Sequence, residues 1–136
     1  MFGPKTKVLI VDDMSTMRAI VSKFCRDFGM MDLTSAPDGE QAWELLNDPT
    51  KKFDLIISDW NMPRCSGLEL LKRVRASEAL KGTPFLMVTA EGEKGQILEA
   101  LKAGVDQYLI KPFNQEGIKT KLIAVAKKYN KTAAWC

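Results

Sequence analysis

Five polar residues stand where short apolar runs end. The run "KVLIV" leads into Asp12 and Asp13, "FDLIIS" into Asp59, "FLMV" into Thr89 and "QYLI" into Lys111. Two adjacent carboxylates at the end of a buried strand repel each other, and burial strengthens the repulsion, so a positive partner is expected there. The chain has no histidine, which removes the usual general base and the commonest metal ligand. A metal site must then be built from oxygens, which favours a hard cation such as Mg²⁺. Mg²⁺ uses one or two carboxylates, waters and the oxygens of a phosphoryl group. A carboxylate can itself accept a phosphoryl group covalently. The Lys111 ammonium would add charge and the Thr89 hydroxyl a hydrogen bond. The chemistry implied is Mg²⁺-assisted phosphorylation of a carboxylate, provided the fold brings these run ends together.

Any one of these residues alone would read as a helix cap, a turn former or a solvated charge. The elements between them decide the matter. Residues 7–11 read as a first strand. Met14, Met17, Ile20, Val21, Phe24, Cys25 and Phe28 then form one helical stripe, with Gly29 as its stop. Residues 32–36 make a weaker strand, and "PDGEQAWELL" a second helix capped by Asp38. Residues 53–58 are a third strand, and Leu68, Leu71 and Val74 mark a third helix. Residues 85–88 are a fourth strand. Ile97, Leu98 and Leu101 mark a fourth helix ending near Gly104. Residues 107–110 are a fifth strand, and Ile118, Leu122, Val125 and Ala126 mark a fifth helix.

Strands that alternate with helices imply a parallel sheet covered on both faces. Strands 1, 3 and 4 are almost wholly apolar and belong in the centre; strands 2 and 5 are mixed and suit the edges. Ligands of such sheets bind beyond the carboxyl ends of the strands. The acidic residues, Thr89 and Lys111 all fall there.

Composition bounds the rest. The chain has 136 residues, 46% hydrophobic and 27% charged, which reads as one soluble globular domain. The net charge of +3 is too mild to argue for nucleic acid. No apolar run approaches the roughly 20 residues needed to span a bilayer, and no signal peptide is read at the start. Cys25, Cys65 and Cys136 fit neither a disulfide framework nor a zinc site and are expected to be free thiols in a reducing cytoplasm.

The segments "VLIVDD", "ISDWNMP", "LMVTAE" and "YLIKPF", in this order and spacing, resemble the receiver domain of bacterial two-component response regulators over residues 5–129. "DDMSTMR", "DWNMP" and "GLELLK" resemble the family's chemotaxis regulators in particular. The resemblance implies a flavodoxin-like (βα)5 receiver with strand order 2-1-3-4-5. That order is not independent of the resemblance, because a chemotaxis regulator of this family is a standard example of it.

The resemblance also implies roles. Asp59 would be the phosphoacceptor for a sensor histidine kinase. Asp12, Asp13 and Asp59, with the Asn61 main-chain carbonyl, would hold Mg²⁺. Lys111 would pair with the phosphoryl oxygens. Thr89 would swing toward them and Tyr108 would turn inward behind it. Asn61 and Glu91 would flank the phosphoryl group and tune its lifetime, and the Lys111–Pro112 bond would be cis. For a chemotaxis regulator the implied partners are the chemotaxis kinase, the flagellar motor switch protein and a phosphatase. The whole chain, 1–136, is expected to be one receiver domain with a flexible tail at 130–136, where Trp135 reads as a frayed end. A cytoplasmic monomer without enzymatic turnover is expected.

Some residues depart from the family's pattern. Ser66 occupies a position that is usually acidic, Met14 one that is usually phenylalanine, and "EGEKGQ" brings two glycines to the start of helix 4. Other functions remain open at this point: a phosphorelay intermediate, a phosphate sink, an aspartyl-phosphate phosphatase or a flavin carrier. The phosphatase reading is weakened by Asn61, which cannot serve as an acid–base residue. The flavin reading is weakened by Asp12 and Asp13, which would repel its phosphate.

Overall fold

A computed structural model describes residues 2–90 and 94–129. Strands β1 (Lys7–Val11), β2 (Asp32–Ala36), β3 (Leu55–Asp59), β4 (Phe85–Thr89) and β5 (Gln107–Ile110) alternate with helices α1 (Ser15–Asp27), α2 (Gly39–Leu46), α3 (Gly67–Ala76), α4 (Lys94–Ala103) and α5 (Gln115–Lys128). The strands form one parallel sheet in the order β2-β1-β3-β4-β5. Their pleat sends alternate side chains to opposite faces. Val8, Ile10, Leu55, Ile57, Leu86 and Val88 pack with α1 and α5 in one layer. Leu9, Val11, Ile56, Phe85 and Met87 pack with α2, α3 and α4 in the other. The central strands β3 and β4 are buried at every position. This burial explains their apolar composition, whereas edge strands β2 and β5 keep exposed residues.

Local signals set the helix ends. Asp38, Ser66 and Asn114 accept from the backbone N–H groups of Gln41, Glu69 and Gly117, capping α2, α3 and α5. Ser66 is thus a cap. The left-handed backbone at Gly29 (φ 90°) and Gly104 (φ 97°) follows the ends of α1 and α4. The Lys111–Pro112 bond is cis, as expected.

Three expectations need correction. β3 lies two residues later than 53–58 at its start, because Asp54 leaves the ladder to bond the start of β1: its N–H donates to the Lys7 carbonyl, and its carboxylate accepts from the Lys7 N–H. At its other end it runs one residue further, through Asp59, which pairs with Val88 of β4. Met14 and Ile20 are exposed rather than part of the buried stripe of α1, since Met14 precedes the helix. Leu98 and Leu101 of α4 are about half exposed, while Ala100 is fully buried. α4 meets the core through the small side chains of Ala100 and Ala103, which lie one turn apart. That rotation leaves the larger leucines outside.

Candidate functional site

The carboxyl end of the sheet gathers Asp12, Asp13 and Asp59. One carboxylate oxygen from each lies within 4.8 Å of the others. Asp12 and Asp59 are buried and Asp13 is exposed. The Lys111 ammonium reaches between the two buried acids, 3.2 Å from Asp59 Oδ1 and 3.4 Å from Asp12 Oδ2. Thr89, the last residue of β4, is buried beside them, and its carbonyl accepts from the Lys111 N–H. The four strand ends therefore converge as the alternating pattern required.

Each acid is positioned by its neighbours. The Asp12 N–H donates to the Ala36 carbonyl, tying the end of β1 to β2. Asp12 Oδ1 accepts from the Met14 N–H at 2.9 Å, which turns the chain into α1. Asp59 is supported from below by Gly67. A Cβ at Gly67 would lie 2.2 Å from the Asp59 carbonyl oxygen and 2.9 Å from Met87 Sδ, so only glycine allows α3 to start this close. The Gly67 N–H also donates to the Trp60 carbonyl. The loop between β3 and α3 is fixed at its far side by Arg64, whose Nη1 donates to Asp38 Oδ2 at 2.9 Å. Arg64 has a left-handed backbone (φ 68°), a conformation that costs a non-glycine residue about 1 kcal/mol or more.

The cluster carries three carboxylates against one ammonium. Burial, reinforced by the Asp12 charge, pushes the Asp59 carboxyl above the ordinary carboxylate range, and Lys111 only partly offsets this. An excess of negative charge in a buried place is the condition that a divalent cation relieves. The donor set is all oxygen, and oxygens on opposite sides of a Mg²⁺ stand about 4 Å apart. The spacing and chemistry of this cluster fit such an ion.

The other expected site residues are placed as follows. Asn61 is exposed two positions beyond Asp59. Tyr108 is half-buried against the α2–α4 layer, with the Lys121 ammonium 4.8 Å above its ring. Glu91 lies outside the described residues, as do Trp135, Cys136 and the rest of 130–136. Cys25 and Cys65 are buried and free, and burial pushes the Cys25 thiol up to about 12. Among the described residues no helix is long and apolar enough to cross a membrane. Two positioning residues fell within quoted motifs without a role being read for them. Gly67 opens "GLELLK" as the first residue of α3, and Arg18 closes "DDMSTMR" and meets Asp12 from six positions along the chain, its Nη1 2.6 Å from the Asp12 carbonyl.

Comparison with known proteins agrees with this geometry. The response regulator receiver domain family matches residues 8–123. The chain is 45% identical over 124 residues to the chemotaxis protein CheY of Pseudomonas aeruginosa, covering 91% of this chain and 98% of that protein. It is 48% identical over 116 residues to CheY-3 of Vibrio cholerae, covering 85% and 88%. The solved structure of the Vibrio cholerae chemotaxis response regulator CheY4 superimposes with a TM-score of 0.81 at 38% identity, covering 88% of this chain and 98% of that one. With matching sequence, sheet order and acidic cluster, the chain belongs to the response regulator receiver domain family.

Proposed function

We propose that the protein is a phosphorylation switch of the chemotaxis type, with Asp59 as the phosphoacceptor. The observation that supports this most is the under-neutralised cluster of Asp12, Asp13 and Asp59 with Lys111 placed between two of its members. An Asp59 carboxylate oxygen attacks the phosphorus of a phosphohistidine on a sensor kinase. The new O–P bond forms as the P–N bond breaks, and the electron pair stays on the departing imidazole nitrogen. Asp12, Asp13, Asp59 and the Asn61 carbonyl would hold Mg²⁺, which supplies charge neutralisation at the phosphoryl oxygens. Lys111 moves its pairing from the carboxylates to the phosphoryl oxygens. Asn61 and Glu91 tune the lifetime of the product.

The added charge of about −1.5 to −2 biases Thr89 and Tyr108 between two arrangements. Output follows by protein binding. The face made by α4 and β5 presents Leu98, Leu101 and Ile110 beside Tyr108, an apolar patch suited to a partner. For a chemotaxis regulator that partner is the flagellar motor switch, the donor is the chemotaxis kinase, and a phosphatase resets the switch in the cytoplasm. The protein acts as a phosphoacceptor and not as a phosphatase, because Asn61 cannot transfer a proton to a leaving group.

Intact-mass measurement after incubation with a small phosphodonor tests the reading. One phosphoryl adduct is expected, dependent on Mg²⁺ and lost in Asp59→Asn. Rapid multiple turnover of phosphate esters would instead indicate a phosphatase. A deletion strain that still reverses its swimming direction normally would point to a phosphorelay intermediate or a phosphate sink.

A further inference from the structure

We infer that Arg18 is a positioning residue for the metal-binding turn, an inference that rests on the metal–phosphoryl reading above. The turn from β1 to α1 carries two of the three carboxylates, yet α1 has no side-chain cap and no acidic residue in its first turn. Its stiffness must come from elsewhere. Arg18, one turn into α1, reaches back and donates from Nη1 to the Asp12 carbonyl at 2.6 Å. With this bond every polar group of Asp12 is occupied. Its N–H goes to Ala36, its carbonyl to Arg18, Oδ1 to the Met14 N–H and Oδ2 to Lys111.

The choice of acceptor matters. A guanidinium matches a carboxylate bidentately and would normally seek one. Among the described residues Arg18 forms no ion pair with any carboxylate. It takes a main-chain oxygen of the turn and adds no further partner to the carboxylate oxygens. The half-buried side chain thereby holds the peptide between Asp12 and Asp13 in one orientation, which sets where the exposed Asp13 carboxylate points.

This role and a simple charge effect have opposite signs. If Arg18 acted only as a nearby cation, removing it would tighten Mg²⁺ binding, because the pocket would lose a repelling charge. If it acts by fixing the turn, removing it weakens binding. Loss of an outer partner of a metal ligand typically costs about tenfold or more in affinity.

The test is a Mg²⁺ titration followed by Trp60 fluorescence in the metal-free full chain. Arg18→Ala is expected to weaken binding about tenfold, and Arg18→Lys, which keeps a donor, to recover most of it. Lys23→Ala, on the same helix in an exposed pair with Asp27, should bind like the wild type. A urea midpoint for each variant separates loss of folding from loss of affinity. Unchanged or tighter binding by folded Arg18→Ala overturns the role of Arg18. Failure of the wild type itself to bind Mg²⁺ overturns the underlying metal reading instead.

Discussion

Two buried acidic sites lie at opposite ends of the same sheet, and they are built on opposite principles. At the amino end, Asp106 precedes β5 and is over-supplied with partners. Its carboxylate takes Arg75 Nη2 at 3.1 Å, the Phe85 N–H at 2.8 Å, Lys128 Nζ at 2.8 Å, and the Tyr129 hydroxyl at 3.0 and 2.9 Å. Arg75 in turn donates to the carbonyls of Gly104, Lys81 and Thr83. This cluster ties the ends of α3 and α5 to the starts of β4 and β5. At the carboxyl end, three carboxylates cluster near one lysine, which pairs with two of them. A buried acid matched by cations and donors stabilises a unique packing; acids that outnumber their cations leave a charge that a cation can neutralise. The excess of negative charge at the carboxyl end fits a cation-binding role.

The largest effect should come from the satisfied end. Asp106→Ala leaves Arg75, 18% exposed, without its carboxylate. It should cost about 3–5 kcal/mol, seen as a lower urea midpoint, while the folded fraction still accepts a phosphoryl group. Next comes the ion. Mg²⁺ at a hundred times its dissociation constant should stabilise the wild type by about 2.7 kcal/mol, measured by thermal unfolding, with little gain in Asp13→Asn. Smaller again is Tyr129→Phe, which removes one hydrogen bond to Asp106. It should cost about 1–2 kcal/mol with no change in Mg²⁺ affinity.

The smallest effect has the opposite sign. The raised Asp59 carboxyl is protonated more readily in the folded chain than in the unfolded one. Its stabilising contribution is fully present below the ordinary carboxylate range and is lost as pH rises through the raised value. Metal-free wild type should therefore lose stability across that interval. Asp59→Asn should flatten the dependence and be more stable at neutral pH by about 1 kcal/mol. A steeper dependence in the mutant would show that the strain at the carboxyl end lies elsewhere.

The two ends differed equally in how far the sequence revealed them. Asp12, Asp13, Asp59, Thr89 and Lys111 were legible because each interrupts an apolar run, and parallel topology sends all such ends to one edge. The cap at Asp38 and the stops at Gly29 and Gly104 were legible from local chemistry. The Asp106 cluster was not, since Arg75 and Tyr129 approach it from 31 and 23 positions away and each reads as an ordinary surface residue. The contact of Arg18 with the Asp12 carbonyl was equally hidden, although Arg18 lies in the quoted "DDMSTMR". On α4 the helical period was right but the buried face was not, because Ala100 and Ala103 weigh less than Leu98 and Leu101 in any apolar stripe. Close packing favoured the smaller side chains.

The under-neutralised end should bind Mg²⁺ and then a phosphoryl group. Trp60 adjoins Asp59 in the chain and is only 8% exposed, so its emission should report both events. A small phosphodonor should be added to metal-free wild type, to Mg²⁺-loaded wild type and to Asp59→Asn. One change is expected on adding Mg²⁺ and a second on adding the donor, the second requiring Mg²⁺ and absent from the mutant. A donor response that persists without Mg²⁺ or in Asp59→Asn would contradict Mg²⁺-dependent phosphorylation of Asp59.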